Sequence, residues 1–134
     1  MSSGAAPPYW RGAHDPTLTD RGEFLLFDNL GGVGGHSRLI ALEPGARSAS
    51  WIWAGQPPES FTSMFCGTLD ALPGGNVLAT ESCHGRAIEI DRESGDIVWE
   101  FVSDRVAGED EEFVAALFEV QRIPRPDWLT QPAK

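Results

Sequence analysis

The chain reads as an all-β protein made of β-propeller blades, and three observations predict this. Glycine (15) and proline (10) are together too frequent for a helical bundle and divide the chain into short apolar runs. One unit is written twice: "GEFLLFDN" and "GNVLATES" each follow a turn containing Gly22 or Gly75, and the similar runs "SRLIALEP" and "GRAIEIDR" come next. Each unit then closes on a run with tryptophan, "ASWIWAG" or "DIVWEFV", and Trp53 and Trp99 suit packing between neighbouring blades.

Taken in order, residues 1–11 form an N-terminal extension and 12–55 a first blade of four short antiparallel strands. A linker, 56–65, leads to a second blade over 66–104. The equivalent glycines lie 53 residues apart. The excess over roughly 40–45 residues for a common blade sits in "LGGVGGH" and "GQPPESF". After Asp104, "EDEEFVAALFEV" predicts a short helix passing into a strand, with acidic residues at the helix start. The proline-rich end of 105–134 predicts an extended tail lying across a blade. Two blades do not close a ring of four to eight, so the propeller is incomplete. A homo-oligomer, or other blades completing the propeller, is the expected partner.

At 134 residues the chain is one domain with a moderate core. Its formal net charge of -10 argues against nucleic acid and anionic membrane as partners, because phosphate binding needs a basic stripe. A small anionic substrate stays compatible with local cations such as Arg38 and Arg86. The acidic run "GEDEE" reads as a solvated loop or helix start. No apolar run reaches transmembrane length, and "MSSGAAPPYWRG" carries no secretory-signal pattern.

Antiparallel order sorts the polar residues between the two ends of the blades. His14 opens the first strand, Asn29 closes the second, and His36 and Arg38 end the following loop. Cys66, Ser82, Cys83, His84 and Arg86 take the matching places in the second blade, so all three histidines share one end. A two-residue Gly74-Gly75 turn would pair Pro73 with Asn76, and counting outward Cys66 with Cys83. Such a non-hydrogen-bonded pair approaches to about 4.5 Å between Cα atoms, which allows a disulfide in an oxidising compartment and two free thiols otherwise. The same register sets His14 opposite Asn29. Cys66, Cys83, His84 and His36 match no zinc spacing, and "GGVGGH" lacks the lysine and helix of a phosphate loop, so neither metal nor cofactor is called for.

The ordered series "HDPTLTDRGEFLLFDN…SRLIALEPG…FTSMFCGTLDALPGGNVLATES…GRAIEIDRESGDIVWEFV", closed by "FEVQRIPRPDWL", resembles the C-terminal portion of the arylsulfotransferase-like propeller family. The likeness runs from about His14 to Leu129. It implies a six-bladed propeller that moves a sulfuryl group from an aryl sulfate to a phenolic acceptor through a sulfated histidine, with no nucleotide donor. The resemblance makes His14 the nucleophile and gives Asn29 and Arg38 the charge on the transferring group. His84 or His36 remains for proton transfer. Gly67 stands where the second blade would repeat His14, so other blades would supply the rest of the funnel and the lone chain would not turn over. The resemblance implies a periplasmic or secreted setting, whereas a complete chain without a signal would be cytoplasmic. The alternative function is a non-catalytic propeller module that binds a partner or small molecule. A quinoprotein-type dehydrogenase is disfavoured by the lack of an acidic metal-ligand set at the histidine end.

Overall fold

A computed structural model describes residues 10–129; most of the N-terminal extension and the last five residues of the tail lie outside the described residues. The first sheet takes its strands in chain order: β1 (His14–Leu18), β2 (Phe24–Asp28), β3 (Arg38–Leu42) and β4 (Trp51–Ala54). The second repeats the plan with β5 (Thr68–Ala71), β6 (Val77–Glu81), β7 (Arg86–Ile90) and β8 (Ile97–Val102). Every neighbouring pair is antiparallel, and neither sheet closes on itself. The protein is therefore all-β, with two blade-like sheets.

Period-two alternation explains how the sheets meet. Leu25, Phe27, Leu39, Ala41, Trp51 and Trp53 share one side of the first sheet, because the register sets Leu25 against Ala41 and Phe27 against Leu39. They pack on Leu69, Val77, Ala79, Ile88 and Ile90 of the second sheet. Phe61, from the linker, completes this core and meets Trp53 edge-on at 5.0 Å. A fully buried side chain of this size contributes about 1.5–3 kcal/mol. At the end of the blades opposite the histidines, the Arg92 guanidinium forms an ion pair with Glu23 and lies over the Trp51 ring at 4.9 Å. Trp53 Nε1 donates to the Gly95 carbonyl at 2.9 Å. The turn between β7 and β8 thus clamps the first sheet.

Both hairpin loops are one residue longer than the expected two-residue turn. Gly75 N donates to Leu72 O at 3.0 Å and Leu72 N to Asn76 O at 2.9 Å, so Pro73, Gly74 and Gly75 all lie in the loop. Pro73 has the fixed φ the first turn position needs, and Gly74 and Gly75 take positive φ values of 95° and 98°. Thr19 to Glu23 repeats the pattern in the first sheet. The register shifts accordingly: Thr68 opposes Thr80, and Cys66 no longer faces Cys83. The facing Cys66–Cys83 pair read from the turn is thereby corrected, and of the two states left open, disulfide or free thiols, the structure has both cysteines free and exposed.

The expected helix after Asp104 does not form. Gly108 and Glu111 both take positive φ, a turn closes from Glu111 N to Gly108 O, and β9 (Val106–Ala107) pairs with β10 (Phe113–Val114). The acidic run is the loop of this small hairpin, where solvent separates its like charges. The tail beyond it lies across the second sheet. Leu117 N donates to Ser82 O, Val120 N to Thr80 Oγ1, and Arg122 pairs with Glu89.

Candidate functional site

His14 and Asn29 meet, although not by the expected register. In the ladder His14 stands opposite Phe27, and a bulge separates it from Thr17. Within the bulge Asp15 takes φ 50°, a left-handed conformation that aspartate tolerates better than most residues, and its carboxylate accepts Leu69 N at 2.7 Å. His14 Nδ1 lies 2.8 Å from Asn29 Oδ1 and 2.8 Å from Gly12 O.

Asn29 is fully buried, and its amide orientation is fixed by what surrounds it. Its Nδ2 donates toward the carbonyls of Ser63 (2.7 Å), Cys66 (3.0 Å) and Phe65 (3.1 Å). Only the NH2 group can face three carbonyls, so Oδ1 is the atom turned to His14. Both partners of His14 Nδ1 are then acceptors, and Nδ1 must carry the proton. In the neutral ring the lone pair is then on Nε2, and the ring is exposed.

The other two histidines tie to the same linker. His36 Nδ1 lies 2.7 Å from Thr62 Oγ1, a hydroxyl that can donate or accept and so leaves the tautomer free. His84 Nδ1 lies 2.7 Å from Oε1 of the buried Glu81. That same oxygen accepts Thr62 N at 2.7 Å. Each histidine is therefore at most two hydrogen bonds from residues 62–66, which places all three at one end of the two sheets, as antiparallel order requires.

Arg38 does not join them. Its Nε donates to Asp28 Oδ2 at 2.7 Å, and Asp28 Oδ1 accepts Arg11 N at 2.9 Å. The two side chains are 6% and 0% exposed, on the side of the sheet opposite Phe27 and Leu39. Arg38 Nη2 is buried without a hydrogen-bond partner among the described residues. Strand alternation explains the separation, since Asp28 and Arg38 form one cross-strand pair and point away from the interface between the sheets. The second sheet has the same acid–arginine pair in Glu81 opposite Arg86. Burial alone would lower the Arg86 guanidinium, but hydrogen bonds to Glu100 and Glu81 outweigh it and hold it above its ordinary value.

Glu81, Thr62 and Ser63 were not singled out in the sequence. The signal for Glu81 was present: an acid ends the second strand of each unit and an arginine opens the third. Ser63 links the linker to Cys83, whose backbone N–H donates to Ser63 Oγ at 3.3 Å. Burial alone would raise the Cys83 thiol, but hydrogen bonds from the Ser63 hydroxyl and the Phe65 and Met64 amides prevail and hold it below its ordinary value.

Sizeable clefts lie elsewhere. Two overlapping clefts of about 400 and 470 Å³, sharing Arg21, Ser50 and Arg92, open at the end opposite the histidines. Their lining serves the Glu23–Arg92 clamp: Ser50 Oγ donates to Glu23 Oε2 at 3.1 Å, but Arg92 is paired with that carboxylate and opposes its action as a base, so the chemistry favours the histidine end. Among the described residues no group of three metal-binding side chains gathers, and no helix is long and apolar enough to cross a membrane. No family model, curated protein or solved structure matches the chain.

Proposed function

We propose that the chain is part of a sulfuryl-transfer enzyme of the arylsulfotransferase-like kind, with His14 Nε2 as the nucleophile. One observation carries this reading: buried Asn29 holds a proton of His14 on Nδ1, so that in the neutral form of this exposed ring the lone pair lies on Nε2. A neutral imidazole held in one tautomer is what attack on an aryl sulfate requires. The Nε2 lone pair forms the N–S bond, the S–O bond to the aryl group breaks, and the pair leaves on the phenolate oxygen. A phenolic acceptor then takes the sulfuryl group from Nε2. The resemblance of the ordered strand series supports the same chemistry.

Arg38 contributes indirectly here: it holds Asp28, which immediately precedes Asn29 and accepts Arg11 N from the segment that leads to His14. Stabilisation of the transferring oxygens then falls to groups from further blades. A non-catalytic binding module is the second reading. It is favoured by the open sheets, which enclose no funnel and exclude no water around His14 among the described residues.

Incubation of the complete blade assembly with 4-nitrophenyl sulfate, followed by peptide mass analysis, tests the proposal. Uptake of one sulfuryl group on the His14 peptide, abolished in His14→Ala, is the expected result. Uptake that persists elsewhere in His14→Ala overturns the role of His14. Perturbation of His14 resonances by the ester without covalent uptake selects the binding module.

A further inference from the structure

The geometry points to Glu81 as a positioning residue that sets His84 up as the proton carrier of the site, an inference that rests on the sulfuryl-transfer reading. Glu81 is 1% exposed, an uncommon place for a carboxylate, and three donors surround it: Thr62 N and His84 Nδ1 on Oε1, and Arg86 Nη1 on Oε2. A carboxylate only accepts, so His84 Nδ1 carries a proton and Nε2 is the atom turned outward. The His84 side chain is 58% exposed while its partner is almost wholly buried, so the ring is held from beneath and offered to solvent.

The two outward Nε2 atoms are held by partners of different charge. Asn29 presents a neutral amide oxygen to His14, and Glu81 presents a carboxylate to His84. A nucleophile must be unprotonated, and a carboxylate beside His14 would instead favour its protonated form. A group that donates a proton must pass through the imidazolium, and the Glu81 carboxylate accepts the Nδ1 proton of His84 in both the neutral and the charged ring, so Nε2 can give up and take back a proton without the ring turning. The asymmetry therefore divides the work: attack at His14 and proton transfer at His84. Linker residues 62–66 bond to both partners, through Thr62 N to Glu81 and three carbonyls to Asn29, which fixes the two rings to one frame.

The proton balance closes over two half-reactions. As His14 Nε2 bonds to sulfur and the S–O(aryl) bond breaks, the phenolate oxygen takes the proton from His84 Nε2. His84 becomes neutral and keeps its Nδ1 proton against Glu81. In return, the acceptor phenol gives its proton to His84 Nε2 as its oxygen bonds to sulfur and the N–S bond breaks. Glu81 remains a carboxylate throughout.

Leaving-group dependence tests this. Rates of sulfuryl uptake at His14 would be measured with phenyl sulfate, whose leaving group needs a proton, and with 4-nitrophenyl sulfate, whose leaving group does not. His84→Ala and Glu81→Gln should slow phenyl sulfate by about 10²-fold and leave 4-nitrophenyl sulfate within a few-fold, with added imidazole restoring His84→Ala. Equal slowing of both esters, or of neither, overturns the proposal. His84 is exposed, so its variant keeps the test open if Glu81→Gln fails to fold.

Uptake from neither ester by the unmodified chain in its complete blade assembly would sink the sulfuryl-transfer reading itself. Glu81 is then decided by ¹⁵N–¹H correlation of the imidazole ring. A His84 tautomer protonated at Nδ1 that loses this preference in Glu81→Gln, while His14 is unchanged, supports the positioning role. An unchanged His84 tautomer overturns it.

Discussion

Trp51 and Trp53 in the first sheet occupy the ladder positions that Trp99 and Phe101 occupy in the second. Trp51 faces Ala41 as Trp99 faces Glu89, and Trp53 faces Leu39 as Phe101 faces Ala87. The first pair is 6% and 9% exposed, the second 41% and 43%. The strands and the aromatic positions are alike, and the difference is what covers them. A whole sheet lies on the first pair, while on the second sheet the extended tail covers mainly β6 and β7. An aromatic strand thus acquires its stabilising value from the next blade.

The largest expected effect breaks or confirms that contrast. Trp53→Ala should cost about 3–5 kcal/mol, because it removes a buried ring and its bond to Gly95, whereas Phe101→Ala should cost under about 1 kcal/mol. Urea unfolding midpoints with a common slope measure both. Equal losses would mean that the second sheet's outer strand is covered in solution.

Next comes the clamp that holds the contrast in place. A hydrogen bond from Arg92, opposed by burial, holds the Glu23 carboxyl below its ordinary value. A carboxyl depressed on folding stabilises above its unfolded value and loses that contribution as pH falls through its folded value. Arg92→Ala should therefore lower stability at neutral pH by about 1–3 kcal/mol. The gap from the unmodified chain should narrow on acidification below the glutamate range. A gap that is constant with pH would remove the ion pair from the explanation.

Asn29→Ala should cost a comparable amount, about 1–3 kcal/mol, by leaving linker carbonyls unsatisfied, and His14 should lose its single tautomer in ring ¹⁵N spectra. The smallest effect is at Cys83. Ser63→Ala removes a donor to the thiol and should move its alkylation profile to higher pH, at a stability cost of about 1 kcal/mol from its lost bond to Cys66 O.

The alternation in "FLLFD" and "RLIAL" made the strands and their buried sides legible, and the duplicated unit made the order of both sheets legible. The end that gathers the histidines followed from antiparallel order alone. Register did not, because a Pro-Gly-Gly loop supports either a two- or a three-residue turn, and one residue decides every opposing pair. His14 meets Asn29 through a bulge at Asp15 that no periodicity announces. Arg38 shows the opposite case: near His14 in loop order, it is turned away by a single step of the strand. The helix over the acidic run failed because its short-range signals were outweighed by pairing of Phe113 and Val114 with β9. Glu81 went unread because a glutamate at a strand end looks like surface until its burial is known.

Asp15 also has a consequence for solubility. The inner edges β1 and β5 do not exchange ladder bonds, yet Asp15 accepts Leu69 N and Thr17 donates to Leu69 O. Pro16 removes one N–H from the same edge. Side chains thus occupy backbone groups that would otherwise recruit a stray strand, and these two edges are poor templates for growth. No such device protects β8, whose six residues are all exposed and mostly apolar. Association at high concentration should therefore begin at Ile97–Val102, and a lysine in place of Val98 is the change that would keep separate chains apart.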